Sequence, residues 1–238
     1  MRRFLLFVLL ITGTLGIGFT QQSTTTGAQA RTGAKQSSSA ERIWADLMEG
    51  NQRFISGKAR AVEVVSLRQK LAAKQSPKVI VLACSDSRVS PELLFDKSLG
   101  DLFVVRSAGN VADAIGVGSI EYAVENLGSS VLVVLGHTGC GAVKAACWGD
   151  KMPTTNLQAI MDKIMPAVTR AKTHANPDEF TKAAIQENVR QSANDVIASS
   201  EVLQHSVHDG KLIVFEAVYD LNSGKVVPLK PMPGRNRH

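Results

Sequence analysis

Val79-Ile80-Val81-Leu82-Ala83-Cys84-Ser85-Asp86-Ser87-Arg88 decides how this chain is read. Five apolar residues in a row, without the polar alternation of a half-exposed strand, read as a fully buried strand. The run ends in a thiol, a carboxylate and a guanidinium. Ligands of open α/β sheets bind outside the carboxyl ends of the strands, so reactive side chains are expected there. While the backbone stays extended, residues two apart point the same way, and Cys84, Asp86 and Arg88 share one side.

A second strand end repeats the arrangement. Val131-Leu132-Val133-Val134-Leu135-Gly136 is another buried strand and runs into His137-Thr138-Gly139-Cys140-Gly141. Cys84, His137 and Cys140 make a Cys2His set with a fourth position open. Structural zinc sites usually close all four positions, whereas catalytic ones keep one for water. Two thiolates and an imidazole suit zinc better than the hard, oxygen-seeking ions. Taken alone, a cysteine after an apolar strand is ordinarily a small buried hydrophobe, and an isolated His-x-x-Cys is a weak signal. Two such strand ends in one chain, with Asp86 and Arg88 beside the first cysteine, favour zinc.

Around these strands the chain alternates in the βαβ manner: strand 78–83, helix 90–95, strand 102–106, helix 113–127, strand 131–136. The fold class is therefore α/β, with a mainly parallel central β-sheet flanked by helices. Gly128 sits where a left-handed cap ends the long helix. Ser39 is placed to cap a helix over 40–56, whose apolar stripe is Ile43, Trp44, Leu47, Met48 and Phe54. Further helices are expected over 140–147, 157–172 and 177–208, the second kinked at Pro166. Strands 212–219 and 226–229 flank Asn222-Ser223-Gly224, a hairpin turn signal. Glu216 interrupts the apolar run of the first of these and needs a partner or an edge position. Cys147 reads as a buried free thiol, with a disulfide to another subunit as the alternative.

The amino terminus reads as a signal peptide over residues 1–30. Met1-Arg2-Arg3 precedes an apolar run from Phe4 to Phe19, a polar stretch and the small-x-small sequence Ala28-Gln29-Ala30. An uncleaved anchor is the alternative, although the run is shorter than the roughly 20 residues that span a bilayer comfortably. Residues 31–39 read as a flexible leader, 40–230 as one folded domain and 231–238 as a basic tail. Such a chain is expected in the periplasm or secreted, without stable membrane association after cleavage. Losing Arg2 and Arg3 lowers the formal net charge from +6 to +4, spread along the chain. Without interleaved aromatics, that charge does not predict nucleic-acid binding.

Cys84-Ser85-Asp86-Ser87-Arg88 with His137-Thr138-Gly139-Cys140 resembles the paired signature of the β-class carbonic anhydrases. The similarity continues in Gly50-Asn51-Gln52-Arg53-Phe54, Gln75-Ser76-Pro77, Phe103-Val104-Val105-Arg106, Ala108-Gly109-Asn110 and Ile120-Glu121-Tyr122-Ala123. The resemblance implies reversible hydration of carbon dioxide to bicarbonate and a proton, with one Zn2+ per chain on Cys84, His137 and Cys140. It implies that the Asp86–Arg88 dyad keeps Asp86 off the metal and aims the nucleophile derived from water. Gln75 is then expected to hydrogen-bond a substrate oxygen, and Phe103, Ala108 and Tyr122 to form an apolar wall. Two thiolates donate more charge to zinc than imidazoles do, which makes a bound water less acidic, and the protein must compensate.

The resemblance also implies a homodimer or a dimer-based tetramer, with the first helix lying on a partner; the residues alone equally allow it to lie on its own sheet. Some members carry a bicarbonate regulatory site, with Trp and Gly three and one residues before the first ligand. Here Val81 and Ala83 hold those positions, which argues against that site and for the open form. Two other functions stay open: hydrolysis of carbonyl sulfide or carbon disulfide, and a catalytically silent zinc assembly protein, against which Asp86–Arg88 argues. His174, His205, His208 and His238 lack the neighbours of His137 and are assigned no role.

Overall fold

The structure, a computed structural model, describes residues 26–172 and 176–229, with side chains from Ser39 onward. Most of the expected signal peptide, the basic tail at 231–238, His174 and His238 lie outside the described residues.

Strands β1 (Val79–Cys84), β2 (Leu102–Ser107), β3 (Val131–His137), β4 (Ile213–Tyr219) and β5 (Val226–Pro228) form one sheet. Their order is β2-β1-β3-β4-β5, parallel from β2 to β4 and antiparallel at the β4–β5 hairpin. The unbroken apolar runs are explained by position: β1 and β3 are central, and every residue of both is buried. Alternation divides them between two layers. Ile80, Leu82, Leu132 and Val134 join one core with the longer helices, while Val79, Val81, Val131 and Val133 join a second core on the opposite face. Each fully buried Val or Leu contributes roughly 1.5–3 kcal/mol.

The chain leaves β1 towards β2 and later crosses to β3 on the other side of β1. Strand order therefore reverses between β1 and β3, and the crevice outside their carboxyl ends is where such sheets hold ligands. Cys84 closes β1 and His137 closes β3.

Helix α1 (Thr26–Ile55) covers the second core. Ala40 and Leu47 are fully buried, and Trp44 stacks on Phe215 of β4 with ring centroids 4.7 Å apart. Its stripe thus packs on its own sheet, the arrangement that the residues alone allowed. The helix also starts earlier than expected: Ser39 lies inside it and 31–39 have helical backbone, because extending a docked helix is easier than nucleating one. Asn51 fixes its far end, donating to Leu94 O (3.0 Å) and Gly224 O (2.9 Å) and accepting from Val226 N (2.9 Å). Gly50 must be glycine there, since a Cβ would stand 1.9 Å from Phe95 O.

The remaining helices are α2 (Val64–Leu71), α3 (Pro91–Leu94), α4 (Ala114–Leu127), α5 (Gly141–Trp148), α6 (Thr155–Ala171), α7 (Pro177–Ala198) and α8 (Glu201–His208). Gly128 caps α4 at φ 68°, as expected. The single helix expected over 177–208 is two, because Ser200 turns out of α7 and caps α8 by accepting from Leu203 N (3.1 Å). Helix α6 runs through Pro166 as one element. Helix α2 was not expected; it is capped by Glu63 and buries none of its residues. Glu216 stands opposite Val134 of β3 on the partly exposed half of β4, and its carbonyl accepts from Leu229 N (2.8 Å) just past β5. Cys147 is a half-buried free thiol whose pKa burial raises. Among the described residues, no helix is long and apolar enough to cross a membrane.

Candidate metal centre

The two strand ends meet. Cys84 ends β1, His137 ends β3, and a turn through Gly139 (φ 67°) brings Cys140 back as the residue before α5. Their donor atoms lie within 4.8 Å of one another, and all three residues are buried. The two sulfurs are 4.0 Å apart. His137 Nδ1 stands 3.0 Å from Thr138 O, which fixes a proton on Nδ1 and leaves Nε2 with its lone pair free. Nε2 is buried without a hydrogen-bond partner among the described residues. Such an orphan costs about 1–3 kcal/mol unless something coordinates it.

Electrostatics agree. Cys84 receives a hydrogen bond from Cys140, which, against the opposing effect of burial, pushes its thiol down to about 4; Gly109 N–H, 3.3 Å from its sulfur, acts in the same direction. Cys140 is pushed up, since it spends its proton on Cys84 and a second thiolate would face the first. A cation lets both sulfurs ionise together. The orphaned imidazole nitrogen and paired sulfurs fit zinc, with Cys84, His137 and Cys140 as its holders.

Beyond β1 the chain turns, Val89 N donating to Asp86 O (2.9 Å). Arg88 grips the Asp86 carboxylate bidentately, Nε to Oδ1 at 2.9 Å and Nη2 to Oδ2 at 2.7 Å, and adds its backbone N–H to Oδ1 at 2.9 Å. This pairing holds the Asp86 carboxyl well below the usual carboxylate range. Asp86 Oδ2 lies 3.8 Å from His137 Nε2, so the carboxylate borders the centre while both its oxygens face Arg88.

Arg106 is a site residue that sequence reading placed only within a similar stretch. From β2, opposite Ala83, it donates to Cys84 O (3.1 Å) and Asp86 O (2.8 Å), holding the backbone that carries both side chains. An arginine ending a strand gives no sign in sequence of which carbonyls it will hold.

The expected substrate residues divide. Ala108 opens the 3-10 turn Ala108–Asn110, whose Gly109 touches Cys84. Gln75 does not reach the centre within one chain: it is exposed on the loop before β1, at the opposite end of that strand from Cys84. Phe103 pairs with Ile80 and Ser107 with Cys84, which puts Phe103 about 13 Å back along the strand at ~3.3 Å per residue. Tyr122 of α4 packs on Phe103, rings 6.4 Å apart, and is therefore remote as well. Parallel strands gather their carboxyl ends, and Gln75 and Phe103 lie at the other end. A cavity of about 300 Å³ lined by Asp113, Glu121, Lys163 and Ser199 opens elsewhere and involves none of the predicted site residues.

The carbonic anhydrase family model matches residues 79–226, from the start of β1 to the start of β5. The solved β-carbonic anhydrase of Coccomyxa, in complex with acetazolamide, is similar with TM-score 0.62 and 30% identity, over 82% of this chain and 86% of that one. The chain belongs to the β-class carbonic anhydrases. Carbonic anhydrase 2 of Mycobacterium tuberculosis is 36% identical over 190 residues, covering 77% of this chain and 90% of that protein. Tetrameric β-carbonic anhydrases of Sordaria macrospora share the fold at TM-score 0.63 and 22% identity, over 84% of this chain and 98% of that one. In this β-carbonic anhydrase, the buried Cys-His-Cys cluster is a group of side chains that could hold a metal ion.

Proposed function

We propose that the chain hydrates carbon dioxide to bicarbonate and a proton at a zinc held by Cys84, His137 and Cys140, with Asp86 and Arg88 directing the attacking water. The observation that carries this reading is the orphaned His137 Nε2 beside a carboxylate whose two oxygens are already committed to Arg88. Carbon dioxide is uncharged and needs a nucleophile stronger than neutral water; zinc, when bound, supplies one by acidifying a water, a chemistry for which carbonic anhydrases are the standard example.

The chain's own residues do the rest. Asp86, kept ionised by Arg88, only accepts hydrogen bonds. A water that donates one proton to Asp86 Oδ2 has its lone pair turned away from the carboxylate, towards substrate. Because Arg88 holds both carboxylate oxygens, Asp86 is also kept from swinging onto the metal. Val81 and Ala83, where regulated members carry Trp and Gly, fit a centre that stays open.

The substrate wall needs a second copy. β2 is an edge strand, and beside it α4 exposes Ile115 and Tyr122, seven residues apart on one helical face. Together with Phe103 they form an apolar patch that a homodimer would cover, bringing Phe103 and Tyr122 of one copy to the centre of the other, with Gln75 as the polar group for substrate oxygen. Tetrameric relatives support pairing of such dimers. The amino-terminal pattern supports export to the periplasm or beyond; an intact mass beginning near Arg31 tests it.

Zinc content with stopped-flow hydration on residues 31–238 tests the central reading. One zinc per chain and fast hydration are expected. Asp86→Ala should keep the zinc and slow hydration about 10²–10⁴-fold; an unchanged rate removes the dyad's role.

A further inference from the structure

The turn beside Cys84 has an unusual backbone. Gly109 and Asn110 are consecutive left-handed residues, at φ 74° and 50°. Asparagine tolerates that conformation better than most residues, yet it still has to be held. The turn is also tightly placed, since a Cβ on Gly109 would come within 2.8 Å of Ile164 Cδ1 on α6. Its result is a backbone N–H, that of Gly109, aimed at Cys84 Sγ from 3.3 Å.

What holds the turn comes from far along the chain. Asn188, fully buried on α7, donates from Nδ2 to Gly109 O at 2.7 Å and reaches Asn110 Oδ1 at 3.5 Å. One helical turn later Ser192 Oγ accepts from Asn110 Nδ2 at 3.4 Å. Helix α7 thus grips both left-handed residues. Apart from Ser192, the buried face of α7 around Asn188 is apolar: Ala184, Ile185, Val189 and Ala193. Asn188 Oδ1 is buried and has no partner among the described residues. A leucine would fill this position without that penalty, so packing alone does not account for an amide here.

We propose that Asn188 is a positioning residue of the metal centre: through the Gly109–Asn110 turn it aims the Gly109 N–H at Cys84 Sγ, setting that sulfur's direction and donor strength towards zinc. The proposal rests on the reading of Cys84, His137 and Cys140 as a zinc site, not on hydration itself. A hydrogen bond to a thiolate withdraws charge from it. The sulfur then gives less to the metal, offsetting part of the strong donation expected of a two-thiolate set. Orientation acts in the opposite sense and outweighs it: losing a partner that fixes the direction of a metal ligand typically costs 10–100-fold in affinity.

The test uses the full chain, chelator competition for zinc affinity, and Co2+ as a spectroscopic probe of thiolate-to-metal charge transfer. Asn188→Leu keeps the volume and removes the donor. Asn110→Gly keeps the left-handed backbone and removes the side-chain link. Asn188→Leu is expected to weaken zinc binding on the order of 10-fold and to move the cobalt charge-transfer band to longer wavelength; Asn110→Gly should do both to a smaller extent. Val196→Ala, also buried on α7 but outside the link, should lower thermal stability without moving either readout. Wild-type affinity and an unmoved band in both linked variants would overturn the positioning role. If Asn188→Leu does not fold, Asn188→Ala, which also removes the donor to Gly109 O, decides in its place. A wild-type chain that binds neither metal would instead overturn the zinc reading beneath it.

Discussion

At the carboxyl ends of β1 and β3, Cys84, His137 and Cys140 are buried and mutually oriented, whereas along β2 and α4, Tyr122 and Ile115 stand 49% and 78% exposed. The first region is finished by one chain: strand ends bring the donors, Thr138 O orients the imidazole, and Arg106 and Arg88 fix the turn between. The second has the composition of a wall and nothing against it. On the proposed reading, the difference separates metal recognition, which each chain completes alone, from substrate recognition, for which a second copy would supply the wall.

The largest expected effect breaks the finished side. Cys140→Ser removes one of the two paired sulfurs, which stand 4.0 Å apart. Zinc should be lost on dialysis and hydration abolished, as metal analysis and stopped flow would show. A full zinc complement would strike Cys140 from the ligand set. Tyr122→Arg breaks the other side by placing a charge in the exposed patch. It should give monomers by light scattering, keep one zinc per chain, and slow hydration on the order of 10²-fold through lost positioning. Monomers with wild-type hydration would mean that the wall is not shared between copies.

A smaller effect bears on α1, which the structure places with the finished side. Arg53 of α1 meets Asp96 Oδ2 at 2.5 Å, and Arg60 adds its backbone N–H at 2.9 Å and Nε at 3.1 Å. Burial pushes the Asp96 carboxyl up, but the two arginines outweigh it and hold its pKa below the ordinary value. A lowered folded pKa means that the pair's contribution is complete above the unfolded value near ~4 and fades as pH falls through the folded one. Asp96 has φ 49°, which asparagine tolerates, so Asp96→Asn isolates the charge. It should lower stability by about 1–3 kcal/mol at neutral pH, with the deficit shrinking in acid, and leave the dimer intact. Urea titrations at both pH values check this. A deficit that grew on acidification would contradict the assigned sign.

How much of this was legible followed physical lines. β1, β3 and the three ligands were readable because buried parallel strands must be apolar throughout, and because reactive residues at their ends break that pattern sharply. Helix α2 was not, since Val64–Leu71 buries nothing and so carries no periodic stripe. The break between α7 and α8 was hidden because Ser199 and Ser200 fit an exposed helical face as well as a cap. Asn188 was hidden for a related reason: a buried asparagine and a surface one look alike until its partner, Gly109 O, is located in space. The remoteness of Phe103 and Tyr122 could be seen only from the register, where Phe103 faces Ile80 and not Cys84.

Tyr122→Phe should have the smallest effect and sharpens the comparison most finely. If Tyr122 serves as part of an apolar wall, the ring that packs on Phe103 is what matters, and its hydroxyl contributes little. The variant should then remain dimeric, hold one zinc, and hydrate carbon dioxide within about twofold of wild type, as surface changes of this size usually do. A large loss of hydration with dimer and zinc intact would mean that the hydroxyl itself meets substrate. In that case the β2–α4 edge would supply a hydrogen-bond donor as well as a wall, and Gln75 would no longer be the one polar group assigned to the substrate oxygen.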